Sequence, residues 1–127
     1  MQTPFWQGIR NFLDHFFKSR MAPEEVFVSF DHEGITVIWP DGEKPYARWL
    51  DIENIVIETT EDGPFYEDAW WCFSIANYSI RIPNSAQGLG DLISELIKRG
   101  ADEKRIIEAM GCTSNRMFLI WEKDKNN

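Results

Sequence analysis

The feature that most constrains the fold is a series of short strand-like segments between Ile35 and Ile82. These segments are rich in β-branched and aromatic residues, and turn residues such as Pro40-Asp41-Gly42 separate them. Connections this short join antiparallel neighbours, because parallel strands need crossover connections of a dozen or more residues. The pattern therefore predicts an antiparallel meander.

Two further strand-like segments lie outside this region. Val26 to Phe30 precedes it, and Met117 to Trp121 lies near the C-terminus. Within the region, strands are predicted at 35–39, 46–49, 55–60, 70–76 and 78–82. We therefore expect a single antiparallel β-sheet, a meander of about six strands.

The N-terminal residues have the period of an amphipathic helix. Thr3 suits the N-cap and Pro4 the first helical position, and the pattern ends near Arg20. Its apolar stripe consists of Phe5, Trp6, Ile9, Phe12, Leu13, Phe16 and Phe17. Because the polar face carries few Lys or Arg residues, we expect this stripe to pack on the protein's own sheet rather than on a membrane.

Two more helices are predicted in the C-terminal half of the chain. The first carries its apolar residues at 89–97, with Asn84 or Ser85 as its N-cap. The second is short and begins at the cap Asp102. Helices packed on one antiparallel sheet make an α+β fold, and the length of the chain suits one domain. We therefore predict a single domain over residues 1–127.

The net charge of −8 is concentrated in one part of the chain. Residues 1–20 carry three bases against one acid, and residues 86–127 carry seven of each. Residues 21–85 carry thirteen acids against three bases, so the excess belongs to the predicted sheet. Such a field serves solubility, but it also repels phosphate backbones and attracts basic proteins. We therefore expect a basic protein partner and no nucleic acid.

The candidate site is the acidic segment that interrupts the strands, from Glu58 to Asp68. It holds five carboxylates and no base, and aromatic residues lie within it and directly after it. Carboxylates steer association with a basic surface, and aromatic side chains supply contact area. We predict a partner-binding surface made of Glu58, Glu61, Asp62, Phe65, Tyr66, Glu67, Asp68 and Trp70.

Catalytic chemistry finds less support in the sequence. His15, His32, Cys72 and Cys112 stand at spacings that match neither a zinc site nor a nucleophile–base pair. The acidic segment lacks the ligand spacing of an EF-hand, although its carboxylates are suitable ligands for Ca²⁺ or Mg²⁺. The alternatives are a small metal-dependent enzyme using these carboxylates, a subunit of an unrelated assembly, and a solvated loop without a role. We expect no catalytic residues, no metal site and no cofactor.

Three stretches of the chain resemble small bacterial proteins of unassigned function. They are Ile38 to Gly42 with Arg48-Trp49, Ile57 to Phe65 with Asp68, and Ala109 to Asn115 with Phe118 and Trp121. Some proteins of this kind resemble immunity proteins of contact-dependent growth inhibition or of related toxin systems. The resemblance implies a protein that neutralises a toxin, and it carries over no catalytic residues.

The charge map and this resemblance together predict an immunity protein and not an enzyme. Such a protein binds a cognate bacterial toxin, for example a nuclease, and occludes its basic active site. The chain has two cysteines and no apolar run near the roughly 20 residues that span a bilayer, and we expect no signal peptide because the first residues lack a basic segment followed by an uninterrupted apolar one. We therefore expect a cytoplasmic protein without membrane contact, as a monomer or a small homo-oligomer.

Overall fold

The computed structural model describes residues 25–61 and 68–124. Seven strands, one 3₁₀ helix and two α-helices lie in these ranges. In chain order they are β1 (Phe27–Phe30), β2 (Gly34–Ile38), β3 (Tyr46–Arg48), the 3₁₀ helix (Trp49–Asp51), β4 (Ile52–Thr59), β5 (Ala69–Ile75), β6 (Tyr78–Pro83), α1 (Leu89–Lys98), α2 (Glu103–Met110) and β7 (Arg116–Glu122).

The strands form two antiparallel sheets. One has three strands in the order β1-β2-β3, and the other has four in the order β6-β5-β4-β7. The predicted α+β class is therefore confirmed. The prediction of one meandering sheet of about six strands is wrong.

The 3₁₀ helix Trp49–Asp51 is where the single predicted sheet divides. Trp49 donates its backbone N–H to the Glu33 carbonyl at 2.9 Å and its indole N–H to the Asp31 carbonyl at 2.8 Å. These two bonds tie the start of the helix to the turn between β1 and β2. β4 consequently leaves in a new direction and pairs with β5 and β7, although the sequence predicts only a bend or bulge here.

The four-stranded sheet has one face in the hydrophobic core. Ile57 of β4 and Trp71 of β5 are fully buried on that face, directly opposite each other in register. The core also takes residues from the three-stranded sheet and from both helices, namely Val28, Val37, Leu92, Leu96, Ile106 and Ala109. We call the opposite side of the four-stranded sheet the outer face.

The two predicted C-terminal helices are both present. Asp102 caps α2 as predicted, because its carboxylate accepts a hydrogen bond from the Arg105 N–H at 3.1 Å. The N-cap of α1 is Gly88, with φ of 92°, so the predicted caps Asn84 and Ser85 are wrong. Within the described ranges neither helix is long and apolar enough to cross a membrane. The helix predicted before Arg20 lies outside the described residues.

The start of α1 is displaced because the preceding residues pair with β1. Val28 donates its N–H to the Gln87 carbonyl, and Gln87 donates its N–H to the Val26 carbonyl, both at 2.8 Å. A Cβ added at Gly88 would collide with the Val28 carbonyl oxygen, whereas one at Gly90 would meet nothing within 4 Å. Gly88 therefore combines a left-handed backbone with close contact to β1.

Replacing Gly88 by alanine should destabilise the fold. A left-handed backbone and the clash with Val28 should lower the free energy of unfolding of G88A by about 1–3 kcal/mol. The matched variant G90A should keep the stability or raise it by up to about 1 kcal/mol, since alanine favours a helix over glycine. Urea denaturation followed by far-UV circular dichroism measures both. Equal stability of the two variants would contradict this account of the α1 start.

Candidate functional site

The pairing of β4 with β5 gathers part of the predicted acidic site on the outer face. Glu58 and Trp70 stand directly opposite each other, and Thr60 extends the pairing by donating its N–H to the Asp68 carbonyl at 3.0 Å. Because side chains alternate along a strand, Glu58, Asp68 and Trp70 belong to one side of this hairpin. The structure therefore brings these three predicted residues together.

Glu61 marks the end of the described part of this hairpin. Its backbone N–H donates to Asn115 Oδ1 at 3.1 Å, which ties the hairpin end to the turn before β7. The side chains of Glu61 and Asp68 are both exposed, so two carboxylates face solvent at this end of the sheet. The remaining predicted residues, Asp62, Phe65, Tyr66 and Glu67, lie outside the described residues.

Glu58 is bound to a base that the sequence interpretation had not included. Arg81 of β6 donates from Nη2 to Glu58 Oε1 at 2.6 Å, and the two side chains are 37% and 38% exposed. The Arg81 guanidinium carbon also lies 4.6 Å from the centre of the Trp70 ring. The carboxylate of Glu58 is therefore held in an ion pair with Arg81 on the outer face. The carboxylates of Glu61 and Asp68 carry the exposed negative charge at this end of the sheet.

Trp70 lies beneath this ion pair and is only 1% exposed. It stands outside the hydrophobic core cluster, and its buried indole N–H has no hydrogen-bond partner among the described residues. The side chain thus supports Arg81 from below and is not an exposed aromatic anchor. Its predicted contact with a partner stays a prediction.

Two exposed apolar side chains on β7 adjoin the predicted residues. Met117 stands opposite Glu58 and is 68% exposed, and Leu119 stands opposite Val56 and is 39% exposed. The sequence interpretation assigned both residues only to a strand. Their position beside Glu58 depends on the pairing of β7 with β4, which no local pattern indicates.

A hydrogen-bonded cluster lies behind the hairpin, on the core side of β4. Thr59 is 1% exposed, and its hydroxyl donates to the Ser114 carbonyl at 2.7 Å and accepts from the Arg116 N–H at 3.2 Å. The Cys112 sulfur lies 3.4 Å from the Ser114 hydroxyl and 3.5 Å from the Thr59 hydroxyl. Hydrogen bonding from the side chain and backbone of Ser114 lowers the pKa of Cys112 to about 7. The sequence interpretation gave this residue no role.

Among the residues of the two described ranges, no group of three or more His, Cys, Asp and Glu side chains is placed to hold a metal ion. Comparison of the chain with protein-family models, with curated proteins and with solved structures found no match.

Cys112 should react as a partly ionised thiol near neutral pH. Because the thiolate is the nucleophile, iodoacetamide should alkylate Cys112 with a pH midpoint of about 7. Cys72 should react more slowly, because burial raises the pKa of its thiol. Peptide mapping by mass spectrometry follows both sites in one sample.

The variant S114A tests the cause of the lowered pKa. Loss of the Ser114 hydroxyl should shift the alkylation midpoint of Cys112 upward, toward the ordinary cysteine value of 9.0. Because the pKa of Cys112 is lower in the folded chain than in the unfolded one, ionisation of its thiol stabilises the fold. This contribution to the free energy of unfolding is complete above pH 9 and is lost as the pH falls through about 7. An unchanged midpoint in S114A would show that the hydroxyl does not hold the thiolate.

Proposed function

We propose that this protein is an immunity protein that binds a cognate bacterial toxin, such as a nuclease, and occludes its basic active site. Binding is stoichiometric and involves no chemical step. The contact surface is the end of the β4–β5 hairpin together with the adjoining outer face. The protein acts in the cytoplasm, where both of its cysteines remain free thiols.

The exposed charge at the hairpin end is the observation that carries the proposal. Glu61 and Asp68 face solvent there, and Arg81, which crosses the outer face, is already bound to Glu58. This surface belongs to the part of the chain that has thirteen acids against three bases. A patch of uncompensated carboxylates accelerates association with a basic surface and repels nucleic acid.

The apolar side chains next to these carboxylates support a protein partner. Met117 and Leu119 are exposed on the outer face beside Glu58, and Arg81 crosses the same surface. Protein interfaces are enriched in methionine, arginine and aromatic residues at their centre and have polar residues at their rim. In this arrangement Met117 and Leu119 supply contact area and the carboxylates supply orientation.

Charge reversal at the hairpin end should slow association with the toxin. We expect E61K to reduce the association rate constant about tenfold at low salt, and the difference should shrink as the ionic strength rises. E43K changes the net charge by the same amount in a turn of the three-stranded sheet and should retain the wild-type rate. Surface plasmon resonance with the toxin encoded beside the gene measures these rates.

Protection of cells tests the proposal as a whole. Cells that produce the wild-type protein should survive expression of the adjacent toxin gene, and E61K should protect them less well than E43K. No protection by the wild-type protein, together with copurification of no basic partner, would overturn the proposed function.

Removal of an apolar contact should shorten the life of the complex. M117A should raise the dissociation rate constant about five- to tenfold, equivalent to roughly 1–1.4 kcal/mol, because Met117 lies within the proposed interface. I107A removes a side chain of similar exposure, 65% against 68%, from the solvent side of α2. Equal dissociation rates for M117A and I107A would place the interface elsewhere.

A further inference from the structure

A pocket lies at the end of the four-stranded sheet opposite to the acidic hairpin. It opens between the 3₁₀ helix, α1 and the sheet, and its volume is about 240 Å³. Its walls are Trp49, Ile52, Ile55, Leu96, Arg99 and Trp121. Three chain segments that are distant in sequence thus meet around one mostly apolar space.

Two irregularities in strand pairing build the walls of this pocket. The pairing of β4 with β5 shifts between Ile52 and Asn54, so Ile52 and Ile55 are both buried on the core side despite their odd spacing. The pairing of β4 with β7 shifts between Ile55 and Val56, which places Trp121 opposite Ile55. In a regular ladder Trp121 would follow Met117 and Leu119 onto the outer face. β-bulges that redirect side chains are frequent beside functional sites.

The aromatic wall at Trp49 is fixed by contacts on three sides. Its indole N–H donates to the Asp31 carbonyl at 2.8 Å, and Phe30 meets its ring edge-on with centres 6.4 Å apart. The Arg99 guanidinium carbon lies 3.8 Å from the centre of the Trp49 ring. A ring held in this way offers a preorganised surface and loses little side-chain entropy when a ligand binds.

The polar groups at the pocket are hydrogen-bond donors and cations. Arg99 uses Nε for Glu95 at 2.9 Å, and Glu95 lines the neighbouring groove between β1 and α1 instead of this pocket. The Lys123 ammonium donates to the carbonyl of Leu50, in the 3₁₀ helix that also carries Trp49, at 2.9 Å. Among the described residues, the indole N–H of Trp121 has no hydrogen-bond partner.

Two nearby carboxylates already have arginine partners, and one of these partners is Arg99 itself. Asp51 accepts two hydrogen bonds from Arg48, at 3.0 and 3.1 Å, and Glu95 is paired with Arg99 as described. The pocket therefore has an apolar interior, two aromatic walls and the guanidinium of Arg99, whose Nε is bound to Glu95, in a protein of net charge −8.

We propose that this pocket binds a small aromatic carboxylate. The aromatic body fits between Trp49 and Trp121, and the carboxylate accepts hydrogen bonds from Arg99 and from the Trp121 indole N–H. The volume lies below the range of about 300–1,000 Å³ usual for drug-sized ligands, which limits the ligand to one or two rings. The site is independent of the proposed toxin-binding surface, because its walls face the core side and the other end of β4.

The test compares two probes of the same shape and different charge. Indole-3-acetate and indole-3-acetamide are titrated into the full-length protein labelled with ¹⁵N. The indole N–H signals of Trp49 and Trp121 should shift in NMR spectra, while that of Trp71 in the core stays in place. We expect the carboxylate to bind about tenfold more tightly than the amide. Absence of shifts at Trp49 and Trp121, or equal affinity for the two probes, would overturn the proposal.

Variants of the arginine separate recognition from folding. R99Q should reduce the affinity for indole-3-acetate about tenfold and leave that for indole-3-acetamide unchanged, and R99K should keep only part of the preference, because lysine retains the charge but not the planar group stacked on Trp49. R116Q is the matched control, because Arg116 also lies over an aromatic ring, that of Phe118, outside the pocket. The amide titration reports whether the R99Q pocket is intact. An unchanged preference in R99Q would exclude Arg99 as the carboxylate's partner and refute the proposal.

Discussion

The central position of β4 is the constraint on which the rest of the structure depends. β5 and β7 pair with its two edges, so its backbone hydrogen bonds are made within the sheet. What β4 contributes to the rest of the molecule is therefore decided by the side chains on its two faces. Ile55 and Ile57 direct one face into the core, whereas Val56 and Glu58 belong to the outer face. A charged residue at Glu58 is tolerated because that face is only half-buried and Arg81 binds it from β6.

The two ends of β4 differ in the regularity of their pairing, and this difference separates two kinds of surface. From Ile57 to Thr59 the register with β5 and β7 is continuous, so side chains alternate and the hairpin end presents its carboxylates outward. Between Ile52 and Asn54 the register shifts against β5, and between Ile55 and Val56 it shifts against β7, so side chains that would point outward turn toward the core side. The same strand therefore contributes a flat, polar surface at one end and a concave, apolar one at the other.

Local patterns were sufficient to predict most elements but not their arrangement. Alternation and turn residues predicted the strands around Val37 and Trp71, and the cap Asp102 marked the start of α2. The division into two sheets depends on bonds from Trp49 to the distant residues Asp31 and Glu33, which no window of neighbouring residues contains.

The same limit applies to the candidate site. The carboxylates of Glu61 and Asp68 could be found from the sequence because they cluster along the chain. Arg81 and Met117 could not, because Met117 reaches Glu58 only through the pairing of β7 with β4, and Arg81 only across β5. The burial of Trp70 was missed for a related reason, since its neighbour Trp71 is also buried and alternation alone allows only one of them in the core.

The spacing of the two surfaces decides how they can influence each other. Ile52 and Glu58 are six residues apart along β4, which is roughly 20 Å at the rise of an extended strand. This exceeds the Debye length of about 8 Å at physiological salt, so exposed charges at the hairpin end are largely screened from Arg99 and Lys123. Any coupling between ligands at the two ends would therefore pass through the packing of β4 between its neighbours. The continuous pairing from Ile57 to Thr59 resists such a shift, because slipping by one residue would exchange Glu58 with core residues. The two surfaces should accordingly bind their ligands as separate sites on one rigid strand.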